Sequence, residues 1–122
     1  MNKDDIVKIA NEIYDLQKKL GEMKGVLRTR GEERATTEAA YDRELTITIL
    51  RLQNGAIKEH EGQPIEKCPV TILKDVARGI CHAEKLKKET ADALYRSAIS
   101  NISTTETQIC ALQSIYRHLE RI

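Results

Sequence analysis

The chain has 122 residues, of which 40% are hydrophobic, 32% charged and 3% aromatic, with no Phe and no Trp. That length holds one domain or one protomer of an assembly, and so few aromatics argue against a sandwich or barrel, whose strands favour large flat side chains. Twenty Lys and Arg against nineteen Asp and Glu leave a net charge of +1, which argues against a general polyanion binder.

The opening Met1-Asn2-Lys3-Asp4-Asp5 turns amphipathic at once and does not resemble a signal peptide. No apolar run approaches the ~18 residues of a membrane span. Three cysteines, Cys68, Cys81 and Cys110, are a sparse and odd set. A cytoplasmic protein with reduced thiols is the expectation.

The first segment reads as helix. Ile6, Ile9, Ala10, Ile13, Leu16, Leu20, Met23 and Leu27 step by three and four along one stripe. Asn2 or Asp4 can cap it, and Asp5 suits the positive end of the dipole. From Arg28 to Glu38 the stripe disappears, and Gly31 either ends or loosens the helix. The stripe resumes at Ala39, Ala40, Tyr41, Leu45, Ile49 and Leu52, then stops at Asn54-Gly55. That dipeptide is read as a helix C-terminal cap, with a type I′ hairpin turn as the alternative because Leu45–Ile49 is rich in β-branched residues. Residues 56–68 read as linker, with room for a small hairpin over Ala56–Ile65 turning at Glu61-Gly62.

Pro69 suits the first turn of a helix. Val70, Leu73, Val76, Ala77 and Ile80 carry its apolar stripe, and residues 84–90 are mostly charged. The cleanest pattern follows at Ala91, Leu94/Tyr95, Ala98, Ile102, Thr105, Ile109, Leu112, Tyr116 and Leu119. Its near seven-residue repeat suits a coiled-coil seam.

The expectation is therefore an all-α chain: helical over 4–53, loop or mini-hairpin over 54–68, helical over 69–121. Folded back at the loop as an antiparallel hairpin, residues whose numbers sum to roughly 123 would face each other, Leu52 the neighbourhood of Thr71 and Ile6 that of Arg117. The polar stretch 28–38 would then meet 85–95 in a polar waist. An unbroken first helix would be ~75 Å long, and two such helices cannot cover both their stripes. Either the helices break near Gly31 and Gly79 and pack compactly, or hairpins associate. Association is preferred, giving a homo-oligomeric bundle of two or more copies. Its seam is expected at Leu94, Ala98, Ile102, Ile109, Leu112, Tyr116 and Leu119.

Chemistry is thinly signalled. His60, Cys68, Cys81 and His82 form no defensible zinc spacing, so no metal and no cofactor are expected. Cys81 and Cys110 read as buried small thiols beside apolar stripes. No nucleophile niche, GxGxxG or P-loop is present, which leaves a non-enzyme. The best ligand candidates are the waist cations Arg28, Arg30, Arg34, Arg43, Lys85, Lys87 and Lys88. They suit phosphate recognition, unless neighbouring Glu residues make them a solvated charge band. Tyr41 and Tyr95 could stack on a base but have core spacing. The 56–67 linker is a second candidate contact surface.

Over Tyr41-Asp42-Arg43-Glu44-Leu45-Thr46-Ile47-Thr48-Ile49-Leu50-Arg51-Leu52-Gln53-Asn54-Gly55 and the Pro69–Cys81 segment, the chain resembles small helical accessory proteins of temperate phages of Gram-positive bacteria. The resemblance covers residues 40–120 loosely and carries over no functional residue. It implies a protein of the infected bacterium's cytoplasm that binds a host or defence component. Such a protein would sequester a nucleotide signal or occlude a protein. A recombination or replication accessory factor and a structural helical adaptor are the alternatives. Direct nucleic-acid contact is disfavoured by the low charge and missing stacking platforms.

Overall fold

The computed structural model describes residues 3–65 and 69–121. Its order is α1 (Lys3–Gln53), β1 (Glu59–His60), β2 (Gln63–Pro64), α2 (Val70–Ile80) and α3 (His82–Glu120). The described chain is mostly helical, and α1 packs on α3. It divides into two compact units, one holding residues 3–31 with 94–121 and the other residues 32–93.

Helix α1 runs through Gly31 without a break, contrary to one of the two sequence expectations. A helical glycine costs only about 1 kcal/mol, less than the packing that flanks this one. The ring of Tyr95 lies 3.5 Å from where a Cβ on Gly31 would sit. The β-branched run over 45–49 is helical as well. Thr46 donates to the Asp42 carbonyl at 2.9 Å, and the Thr48 hydroxyl meets the Cys81 thiol at 3.3 Å, so neither hydroxyl competes for another backbone conformation.

Asn54-Gly55 is a helix cap. Gly55 has φ +79°, and its N–H bonds the Leu52 carbonyl while the Ala56 N–H bonds the Arg51 carbonyl. That pair of bonds is a Schellman motif, which serves the last open carbonyls of α1. The small hairpin also forms, with Glu59 opposite Pro64 and His60 opposite Gln63. Its two turn residues, Glu61 and Gly62, both have positive φ, as a type I′ turn requires.

In the 32–93 unit, Leu52, Leu73 and Ala77 form the buried cluster. Leu45, Ile49, Ile57, Ile65, Val76 and Ile80 pack around it, so the hairpin is fixed to the helices through its two flanking isoleucines. Ala77 has no exposed surface at all, which makes it the tightest point. Pro69 stands at the N-cap rather than inside the first turn, with ψ 145°, and the Ile72 N–H bonds its carbonyl. The break expected near Gly79 falls at Cys81. Helical hydrogen bonds nevertheless continue across it, from the Cys81 N–H to Ala77 and from the Lys85 N–H to Cys81, both at 3.0 Å.

In the other unit, Ile102, Thr105, Ile109 and Leu119 of α3 are buried. Ala98, Leu112 and Tyr116 are half-buried. Half-buried Ile6, Ile9, Ile13, Leu16, Leu20, Met23 and Leu27 supply the facing stripe of α1. Both stripes keep alternating steps of three and four, the spacing of a coiled-coil seam. The Thr105 hydroxyl reaches the Met23 sulfur at 3.5 Å.

The two loop-forming and helix-forming glycines should respond with opposite signs. Gly31→Ala gains helix propensity at a site where the Cβ meets only an ordinary contact, and raises stability by about 0.5–1 kcal/mol. Gly55→Ala forces a side chain into positive φ and lowers stability by about 1 kcal/mol. Urea midpoints followed by circular dichroism check both. Leu73→Ala, in the buried cluster, should cost about 2–5 kcal/mol by the same measurement.

Candidate functional site

Two places merit scrutiny: the polar waist and the groove beside the hairpin. The waist cations divide between the units, with Arg28 and Arg30 in the first and Arg34, Arg43, Lys85, Lys87 and Lys88 in the second. Arg28, Arg43, Lys85 and Lys87 are exposed, while Arg30, Arg34 and Lys88 are half-buried. Arg34 Nε contacts Asp92 Oδ1 at 2.9 Å. Lys88 Nζ stands 5.0 Å from the centroid of the buried Tyr41 ring, a cation–π contact. Arg30 lines a hollow of about 190 Å³ with Met23, Val26, Leu94 and Ser97.

The half-buried waist residues continue the helix seam. On α1 the inward positions pass from Leu27 through Arg30, Arg34 and Thr37 to Tyr41 without losing phase. The stretch from Arg28 to Glu38 lacks an apolar stripe, but its unbroken three-four spacing beneath the charges is the signal that places it on the seam. Tyr41 and Tyr95 take core positions, as their spacing indicated.

Arg34 meets Asp92, so the stretch 28–38 does face 85–95; Met23 meets Thr105 and Thr48 meets Cys81, between one and two turns further along than a fold centred on the loop gives. The cause is the asymmetric connection. Leu52 packs with Leu73 and Ala77, so the start of α2 reaches past the end of α1, where Ile57 and Ile65 of the hairpin cover it.

Leu94, expected on an oligomer seam, is 39% exposed in the single chain, and its neighbour Tyr95 takes the inward position against Gly31. One expectation on α3 is corrected. Cys110 was read as buried and is exposed, whereas Cys81 is buried. One residue along a helix turns the side chain by about 100°, so Cys110 falls a step off the stripe from buried Ile109. The other residues assigned to an oligomer seam are largely occupied by α1 of the same chain. Tyr116 also faces the Glu120 carboxylate, whose hydrogen bond and negative charge hold its phenol above the ordinary range.

The second place is a groove of about 640 Å³ between the hairpin and α2. His60, Glu61, Gln63, Pro64, Ile65, Ile72 and Val76 line it, with no Lys or Arg among the described residues of its walls. Ile72 is 45% exposed at its edge. Cys68, one member of the candidate ligand set, lies outside the described residues. Among the described residues no group of three His, Cys, Asp or Glu could hold a metal ion, and no helix is long and apolar enough to cross a membrane.

No family model, curated protein or solved structure matches the chain.

The Arg34–Asp92 pair should behave as a surface contact, since the two side chains are 43% and 21% exposed. A double-mutant cycle with Arg34→Ala and Asp92→Ala should give a coupling of roughly 0.2–1 kcal/mol that shrinks with added salt. A salt-independent coupling above about 3 kcal/mol would mean a desolvated charge centre instead.

Proposed function

We propose that the protein is a non-catalytic, self-associating helical binding protein of the phage accessory type that works by occluding a host or defence protein. The observation that carries this reading is the groove between the hairpin and α2: it is open, and Pro64, Ile65, Pro69, Ile72 and Val76 make up most of its described wall, which suits a partner's apolar side chains. The hairpin rim adds exposed Glu59 and Glu61.

Sequestration of a nucleotide signal is the weaker mechanism, because Arg34 already engages Asp92 and Lys88 already engages Tyr41. Releasing them would offset part of any phosphate-binding energy. Self-association is supported by apolar side chains left in the open on both helices of the first unit, among them Val7, Tyr14, Val26, Leu94 and Ile115.

A paired experiment tests the mechanism. A panel of cyclic di- and trinucleotides, cyclic ADP-ribose isomers and short single-stranded DNA should leave the melting temperature unchanged. Ile72→Glu should keep wild-type helicity yet abolish the protein's effect in a phage-infection assay. The reading fails if a nucleotide stabilises the fold by the ~2.7 kcal/mol expected at a hundred times its dissociation constant, and Arg30→Ala or Arg34→Ala removes that effect.

A further inference from the structure

One flank of α3 in the first unit has a composition unlike the rest of the chain. From Ser97 to Tyr116 there is a single charged residue, Glu106, in a protein that is 32% charged. Leu94, Asn101, Gln108 and Ile115 recur at intervals of seven and so share one side of the helix, next to the buried seam. Glu106 is turned to the other side. Leu94 and Ile115, at the two ends of this flank, are 39% and 47% exposed. Two hollows open along it, one of about 190 Å³ bounded by Val26, Leu94 and Ala98 with Arg30 of α1 at its edge, the other of about 550 Å³ bounded by Leu16, Ala111 and Leu112 with Glu12 and Asp15 of α1 at its edge.

Solvated helix faces are ordinarily charged, as the outer side of α1 is with Lys8, Lys18 and Glu22. Loss of charge at the centre with charge kept at the edge is the compositional mark of a protein interface. Resting on the self-association reading above, we propose that this flank of α3 is the contact surface for a second copy of the chain, packed antiparallel about a two-fold axis near Thr104.

The sequence of the flank fits that occupant. Read from either end it runs apolar, polar-uncharged, apolar. An antiparallel two-fold therefore sets Leu94 of one copy beside Ile115 of the other at both ends, while Asn101, Thr104 and Gln108 meet at the centre and exchange hydrogen bonds. Such matching of a patch with itself is what an isologous interface demands, and an uncharged patch does not repel its own copy.

Light scattering on the full chain and two double variants tests the face and its direction. Wild type should weigh at least twice the 13.8 kDa of one chain. Leu94→Glu with Ile115→Glu opposes like charges across the axis and should give 13.8 kDa with helicity kept, since both side chains are partly exposed in the protomer. Leu94→Glu with Ile115→Lys pairs opposite charges only in the antiparallel arrangement and should keep the wild-type mass. If the double Glu variant stays associated, this face is wrong although self-association stands. If both double variants dissociate, the antiparallel arrangement is wrong. A wild-type mass of 13.8 kDa overturns self-association itself. As a measurement independent of variant stability, a short bis-maleimide should join copies of Thr104→Cys in a Cys110→Ser background. Lys18→Cys, on the outer side of α1, should stay unlinked.

Discussion

Two helices laid side by side can bury one stripe of each, and no more. Within the first unit the packing of α1 on α3 uses that capacity. The inward positions on both helices repeat in steps of three and four, and Ile102, Thr105, Ile109 and Leu119 reach burial by this means alone. Everything outside the stripe stays open, including Val7, Tyr14, Leu94 and Ile115. No large side chain among the described residues is fully buried. In the 32–93 unit the same limitation is relieved differently: α2 and the small hairpin add a further layer, and Leu52, Leu73 and Ala77 close beneath it.

The charged waist belongs to this seam. A polar residue at an inward position of a paired helix lowers stability and in exchange fixes register, because a slipped pairing leaves it against apolar neighbours. Arg34 opposite Asp92 and Lys88 over Tyr41 fit that role. A ligand site at the same place would have to compete with those contacts. Partner binding is therefore better sought where the surface is unsatisfied and apolar, at the hairpin groove and along α3.

Much of the architecture was legible. The stripe from Ile6 to Leu27, the cap at Gly55 and the turn at Glu61-Gly62 each follow from local rules: spacing, tolerance of positive φ, and a two-residue loop. What escaped was set by tertiary contact. Gly31 is helical because seam packing continues on either side of it. The facing register depends on how far α2 reaches past α1, and the linker's length alone does not fix that. Cys110 sits beside the inward Ile109, and apolar character could not tell the two neighbours apart. The waist was visible as charge but not as part of the seam. The hairpin groove arises only when Ile65, Ile72 and Val76 come together from separate elements.

The central claim is that the stripe left open by this helix pair is completed by a second copy. The dependence of melting temperature on protein concentration tests it most directly, because only an associating fold gains stability by mass action. Across a hundredfold range of concentration, wild type should melt progressively higher as it is concentrated, with one cooperative transition throughout. A melting temperature that does not move with concentration would contradict the claim and leave the open stripe as the surface of a monomer.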